Sequence, residues 1–368
     1  LLSDRYLDPF NNFQFLLTMV AFEFLSPSLI KFGSGVLEHL NELLSGAGKN
    51  ALVVLGRGSL RTCGVVDRLL KQLTERRIDY CLYEGISEEP EIETVDQGVM
   101  LAREYGCDLV IGMGGGSVID TVKAIAGLTP NEGSVMDYLE GVGKCLTITK
   151  PSLPCIAIPT TAGTGAEVTR NAVISSRKGR FKKSIRSPYL IPKIALIDPT
   201  LTLSLPPTWT AWGGLDALTQ LIEAYVSKKS QPIPEALALY GISLVANNLL
   251  PVYKNGNDLA ARENMSLAAL LSGLALANSG LGAAHGLASA LGAYYPIPHG
   301  LACAILLPYV MELNLEVNPT RFARIGEALT GISNYNNPLQ AAGAGVKFVK
   351  ELIVALDIPP DLKSYGID

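Results

Sequence analysis

The sequence predicts an α/β fold: a parallel sheet with helices on both faces in the first half of the chain, then an all-α second domain. Three observations carry this. Short apolar runs alternate with helix-period segments up to about residue 200. A glycine run, Gly114-Gly115-Gly116, joins one such strand to one such helix. After Asp198-Pro199 the alternation stops and long helical patterns follow. At 368 residues, 48% hydrophobic and 17% charged, the chain can build two domains with large cores. We expect an N-terminal extension over 1–21, a nucleotide-type α/β domain over 22–200 and a helical domain over 201–368.

The elements follow in order. Ala51–Leu55 reads as a buried strand and Val65–Arg76 as a helix, with Val65, Val66, Leu69, Leu70 and Leu73 on its apolar face. Tyr80–Tyr83 is the next strand, Ile92–Tyr105 the next helix and Leu109–Met113 a third strand. The segment from Val118 has helical periodicity, and further strands are expected at Cys155–Ile158 and Ile194–Ile197. In the second domain, helices are expected over Trp209–Val226, Glu235–Leu250, Asn264–Leu276 and Ala302–Leu313. Pro359-Pro360-Asp361 to Asp368 reads as a turn without a closing helix, so the native chain is expected to extend further.

Composition limits the setting. A net charge of −4 leaves no basic footprint, so nucleic acid is not an expected partner. The six cysteines form no C-x-x-C pair, which points to reduced thiols in a cytoplasmic protein. Phe13–Leu25 is apolar, but Asp4, Arg5 and Asp8 precede it and no small-residue cleavage site follows, so no signal peptide is expected. Ser266–Ala284 contains 19 residues without a charge, about a bilayer span. Its serines, glycines and Asn278, and its run into His285, fit a buried core helix better, so no membrane partner is expected.

Four segments carry chemistry. Gly114-Gly115-Gly116-Ser117 opens a helix directly after a strand, where unpaired N–H groups and the positive dipole end suit a phosphate. It is not G-x-G-x-x-G, so the usual dinucleotide fingerprint is absent. Leu55-Gly56-Arg57-Gly58-Ser59 follows the first strand, where an acid would repel a ribose 2′-phosphate and Arg57 with Ser59 would attract it. Pro159-Thr160-Thr161-Ala162-Gly163-Thr164-Gly165 again follows a strand, with hydroxyls suited to ribose and nicotinamide groups. Lastly, two of the three histidines, His285 and His299, lie in one segment, and Asp216 sits on a helix with Gln220 one turn on. An Asp oxygen with two imidazoles suits Fe²⁺ or Zn²⁺ with an open position. Two packed histidines and an exposed aspartate would read the same way.

Together these motifs resemble the iron-containing (group III) alcohol dehydrogenase family, which includes lactaldehyde reductases and NADPH-dependent butanol dehydrogenases. The resemblance runs from about Phe22 to the end, through Gly114–Ser117 with Asp120 and Lys123, Thr160–Glu167, Asp198-Pro199, Gly214–Thr219 and the spacing from His285 to His299-Gly300. It implies a Rossmann-like N-terminal domain and an all-α C-terminal domain, the fold shared with dehydroquinate synthase, with a cleft between them. It implies that Gly115, Gly116 and Ser117 bind pyrophosphate, and that Thr160, Thr161, Thr164 and Lys182 flank the nicotinamide. Asp216, His285 and His299 match three of the family's four metal ligands.

Two positions depart from the family. Its fourth ligand, usually a histidine one turn after the aspartate, is Gln220, an amide that would serve as a weak ligand. A histidine commonly found four residues after the first and linked to proton transfer is Ser289. A three-ligand iron or zinc site, a metal-free reductase and a degenerate site all remain open at this point. The expected activity is hydride transfer between a nicotinamide cofactor, NADP(H) favoured and NAD(H) still open, and a small alcohol or aldehyde at a divalent metal. Gly56, Arg57, Ser59, Gly114 to Ser117, Asp120, Thr160, Thr161, Thr164 and Lys182 are the expected cofactor contacts. Asp216, His285, His299 and Lys182 are the expected catalytic groups, and a homodimer or larger homo-oligomer is expected from the family. The alternative is a metal-independent reductase of an oxo acid, similar to maleylacetate reductases, with Lys182 among the groups holding the substrate. A sugar-phosphate lyase is disfavoured, because 216–221 and 280–300 contain no Lys or Arg.

Overall fold

The computed structural model describes residues 21–57, 61, 63–86 and 89–367. The N-terminal extension, apart from Ala21, lies outside these residues, and so does Ser59. The first half contains β1 (Leu29–Phe32), α1 (Leu40–Leu43), β2 (Asn50–Gly56), α2 (Val65–Glu75), β3 (Asp79–Ile86), α3 (Ile92–Glu104), β4 (Leu109–Gly114), α4 (Gly116–Leu128), β5 (Cys155–Pro159), β6 (Asn171–Ser176), β7 (Phe181–Arg186) and β8 (Ile194–Ile197). Helices follow: α5 (Pro207–Val226), α6 (Pro232–Lys254), α7 (Leu259–Ser279), α8 (Ala283–Tyr294), α9 (His299–Leu315), α10 (Pro319–Thr330) and α11 (Pro338–Ala355).

Six strands form a parallel sheet in the order β1-β8-β5-β4-β2-β3. Both faces are covered because strand residues alternate. Ala51, Val53 and Leu55 of β2 with Leu109, Ile111 and Met113 of β4 face Leu69 and Leu73 of α2. Leu52, Val54 and Val110 face Val95 and Val99 of α3 and Val118, Val122 and Ile125 of α4. The chain runs outward from β2 to β3 and then returns to the other side of β2 for β4. The order therefore reverses between β2 and β4, and the loops at their carboxyl ends, Gly56-Arg57 and Gly115 onward, flank that switch point.

The expected strands and helices are all present, with additions. β1 joins the sheet edge beside β8, and β6 pairs antiparallel with β7 as a separate hairpin, Asn171 opposite Arg186 and Ser175 opposite Lys182. Only Phe181 and Ile185 are apolar in β7, so alternation there was too sparse to read as a strand. Three more helices, α8, α10 and α11, complete the second half. Two of them begin with a legible signal, an Asn N-cap followed by proline: Asn318 accepts from the Arg321 N–H and Asn337 from the Gln340 N–H. The apolar stretch 266–284 is not one span. α7 ends at Ser279, the chain turns by 99° into α8, and Ala268, Leu271 and Ala275 lie in the helical core.

The loop after β5 docks onto the helices through backbone. A Cβ on Gly273 of α7 would lie 2.2 Å from the Gly165 carbonyl oxygen, and one on Gly163 would lie 2.8 Å from Gly213 Cα of α5. Lys123 of α4, fully buried, holds the same loop from the sheet side. Its Nζ donates to Ala166 O and Thr169 Oγ1, each at 2.8 Å, and pairs with Asp120 at 2.8 Å. Gly273→Ala should therefore cost about 1–3 kcal/mol through overpacking against rigid backbone. Equilibrium denaturation checks this, and an unchanged midpoint would mean the contact is not rigid.

Candidate functional site

A single cavity of about 1730 Å³ is lined by both halves of the chain. Gly56, Arg57, Gly114 to Ser117, Thr160, Thr161, Thr164 and Lys182 reach it from the sheet side. Asp216, Gln220, His285, Ser289 and His299 reach it from the helices. The expected residues that fall among the described ones are thus brought together, although the motifs are spread over some two thirds of the chain.

On the cofactor side, α4 begins at Gly116 with Gly115 as its N-cap, in extended conformation and without a side-chain cap. The glycines do not all serve one purpose. Cβ atoms on Gly114 and Gly116 would meet Val118 at 2.5 Å and Thr164 Oγ1 at 2.7 Å, so these two are required by packing within the protein. A Cβ on Gly115 would meet only Thr161, at 3.3 Å. Arg57 lies at the cavity edge with its Nε donating to Gly85 O at 3.0 Å. Asp120, expected among the cofactor contacts, has a structural engagement: it pairs with Lys123 and accepts from the Val173 N–H at 3.0 Å, joining α4 to the hairpin. Lys182, on β7, pairs with Glu89 at 2.8 Å, and Glu89 also accepts from Ser175 Oγ at 2.9 Å.

On the helical side, the face of α5 that carries Trp212, Asp216, Gln220 and Glu223 looks into the cavity, as residues three and four apart must. Asp216 is buried, so the arrangement is not that of two packed histidines with an exposed aspartate. His285 sits in the first turn of α8, with Nε2 3.3 Å from Asp216 Oδ1. His299 opens α9, with Nε2 3.8 Å from the same oxygen.

Glu223, which sequence reasoning did not single out, orders this group. Its carboxylate accepts from the backbone N–H of Ala284 at 2.6 Å and of His285 at 3.4 Å, and from His285 Nδ1 at 2.7 Å. It therefore caps α8 and fixes the orientation of the imidazole at once. Its place seven residues after Asp216 on one helical face was the available signal. Cys303 was also missed as part of the site. It lies one turn after His299, and Asp216, His285, His299 and Cys303 each offer a donor atom within 4.8 Å of the others.

Gln220 does not present its oxygen to this group. Its Nε2 donates to Asp216 Oδ2 at 3.2 Å, and its Oε1 lies 2.8 Å from Ser272 Oγ. In this arrangement the amide expected as a weak fourth ligand donates an N–H to Asp216.

The electrostatics favour a cation. Burial works against charge on Asp216, but the hydrogen bond from His285 and the nearby His299 outweigh it and hold its carboxyl below the usual range. Glu223 behaves alike: burial opposes its charge, and the hydrogen bond from His285 and the backbone donors prevail. Burial also opposes charge on His285, yet Cys303, Asp216 and Glu223 raise its pKa well above the ordinary value. Burial pushes His299 down to about 4, leaving a neutral imidazole, and pushes the Cys303 thiol up to about 11. With Nδ1–H of His285 donating to Glu223, Nε2 faces a carboxylate oxygen, and either a proton or a metal ion has to lie between them. One carboxylate and two imidazoles, one of them oriented by a second carboxylate, make a donor set that fits Fe²⁺ or Zn²⁺.

Comparison with known proteins bears on the fold and the family. The family model for iron-containing alcohol dehydrogenase matches residues 27–199, and that for the C-terminal part of the Fe-containing alcohol dehydrogenase family matches 210–368. The chain is 37% identical to 1,3-propanediol dehydrogenase of Citrobacter freundii, over 94% of this chain and 89% of that protein. It is 38% identical to NADPH-dependent butanol dehydrogenase of Clostridium saccharobutylicum, over 94% and 87%. A crystal structure of 1,3-propanediol oxidoreductase superposes with a TM-score of 0.89 at 35% identity, covering 95% of this chain and 90% of the other. The parallel sheet, the helical second half and these matches agree: the chain belongs to the iron-containing alcohol dehydrogenase family and is an NAD(P)-dependent alcohol dehydrogenase.

Proposed function

We propose that this chain transfers hydride between NADP(H) and a small alcohol or aldehyde, at a divalent ion held by Asp216, His285 and His299. The observation that supports it best is the shared cavity, which has the glycine loop on one wall and the three donors on the other. The division of labour near residue 200 belongs to the same proposal, with 22–200 holding the cofactor and 201–368 the metal. The sheet ending at Ile197 and the helices beginning at Pro207 support it.

The backbone N–H groups of Gly115, Gly116 and Ser117, at the positive end of α4, receive the pyrophosphate. Arg57 sits beside the switch point and receives a ribose 2′-phosphate, a role in which Ser59 takes part by the sequence reading. Thr160, Thr161 and Thr164 border the nicotinamide end, and the Lys182–Glu89 pair lies along the same wall. Trp209 and Trp212, in edge contact at 5.2 Å, give the substrate region an apolar side suited to a small alcohol. When bound, the nicotinamide exchanges the hydride and the ion supplies a Lewis acid for the substrate oxygen. Ser289, one turn after His285, lines the cavity, and the proton leaves through water, the ribose hydroxyl or this hydroxyl.

Three outcomes test this reading. NADPH should bind about 10- to 100-fold more tightly than NADH, the worth of a charge-assisted phosphate contact. Fluorescence titration measures it, Arg57→Ala should remove most of the difference, and equal affinity for NADH would overturn the preference. Gly115→Ala should weaken NADPH binding by roughly tenfold while the melting temperature stays near that of the parent, since only Thr161 has to give way. Normal binding by that variant would mean the loop is only a turn. His285→Ala should abolish both bound metal and turnover and leave NADPH affinity little changed, as read by elemental analysis beside titration. Full aldehyde reduction after exhaustive chelation would instead favour the metal-independent reductase of an oxo acid.

A further inference from the structure

We propose that Cys303 is the fourth protein ligand of the ion, completing an Asp-His-His-Cys site with a thiolate where the second helical position of α5 offers none. This rests on the three-ligand reading above and adds a ligand that no sequence spacing suggested.

Three observations carry it. Cys303 lies on α9 one turn beyond His299, so both side chains leave the helix on the same face. Its Sγ is 3.7 Å from His299 Nε2, and Cys303 is fully buried, beside buried Asp216 and His285. Secondly, the spacing is that of a coordination shell. A tetrahedral ion with bonds of about 2.0–2.3 Å separates its ligand atoms by roughly 3.3–3.8 Å. The separations here are 3.3 Å from His285 to Asp216, 3.8 Å from His299 to Asp216 and 3.7 Å from Cys303 to His299. Thirdly, Gln220 donates an N–H to Asp216 and its Oε1 lies 2.8 Å from Ser272 Oγ, so its oxygen does not face the donor group.

Two further consequences follow. Asp216 and a Cys303 thiolate together match the charge of a divalent ion in a buried pocket, and the soft sulfur favours zinc over harder ions. Cys303 is not on the cavity wall, so it approaches the ion from the protein side. The cavity side stays open, which would leave room for a substrate oxygen beside an ion held by these four residues.

Cobalt substitution tests the assignment without relying on turnover. The chain, stripped of metal and loaded with Co²⁺, should show the visible bands of a tetrahedral ion and a near-ultraviolet thiolate-to-cobalt charge-transfer band. Cys303→Ser and Cys303→Ala should both lose the charge-transfer band and bind Zn²⁺ at least about tenfold more weakly. NADPH affinity, read in the same samples, shows that each variant is folded. His285→Ala should lose the whole spectrum, which ties the band to this site and not to another cysteine. Visible bands without a charge-transfer band, or a band unchanged by both Cys303 substitutions, would overturn the thiolate ligand and leave the three-ligand reading standing. No uptake of Co²⁺ or Zn²⁺ by the unmodified chain would overturn both.

Discussion

The position of the site depends on one close contact, the backbone of the 160–169 loop against helices α5 and α7. Gly163 and Gly165 meet Gly213 and Gly273 at distances that no side chain permits. Because the backbones touch, the distance between the sheet and the helices is set by main chain, which does not rearrange as a side chain can. Lys123, buried beneath the same loop and bound to Ala166, Thr169 and Asp120, removes its remaining freedom. Asp216, one turn after Gly213 on α5, is carried to the cavity wall by that docking, opposite the glycine loop of α4.

A second constraint is electrostatic. Asp216 and Glu223 lie on one face of α5, both buried, and His285 is held between them. Two buried carboxylates would be costly without compensation. Glu223 is compensated by the first backbone N–H groups of α8 and by the imidazole, Asp216 by His285 and the Gln220 amide. The start of α8 and the orientation of His285 are thus a single event. The same helix that binds the loop through Gly213 also assembles the charged group, which couples the docking of the halves to the chemistry of the site.

Much of the cofactor side was legible in the chain. Strand-to-helix junctions at Leu55-Gly56 and Met113-Gly114 are local features, and in a parallel sheet such junctions at strand carboxyl ends converge at the switch point. What those residues do individually was less legible. Gly114 and Gly116 read as openings for a ligand, but their missing Cβ atoms accommodate Val118 and Thr164. Asp120 read as a cofactor contact; it lines the cavity and also braces α4 to the β6–β7 hairpin. The hairpin itself was missed because its second strand, Phe181–Arg186, is dominated by charged and polar residues.

The sequence by itself determined strands β2 to β5 and β8 and the helices among them, the glycine and threonine loops and the presence of Asp216, His285 and His299. These rest on periodicity and on residue chemistry, both of which are local. Only the tertiary structure decided which donors meet. Cys303 is 87 residues from Asp216 in the chain and within 4.8 Å of it in space, and Glu223 reaches His285 across 62 residues. The resemblance made Gln220 a weak fourth ligand; in the structure α5 packs against α7, which sets Ser272 beside its oxygen, and its amide N–H donates to Asp216. Spacing along a helix fixes the face a side chain shares, whereas its partner is fixed by which helix packs against that face.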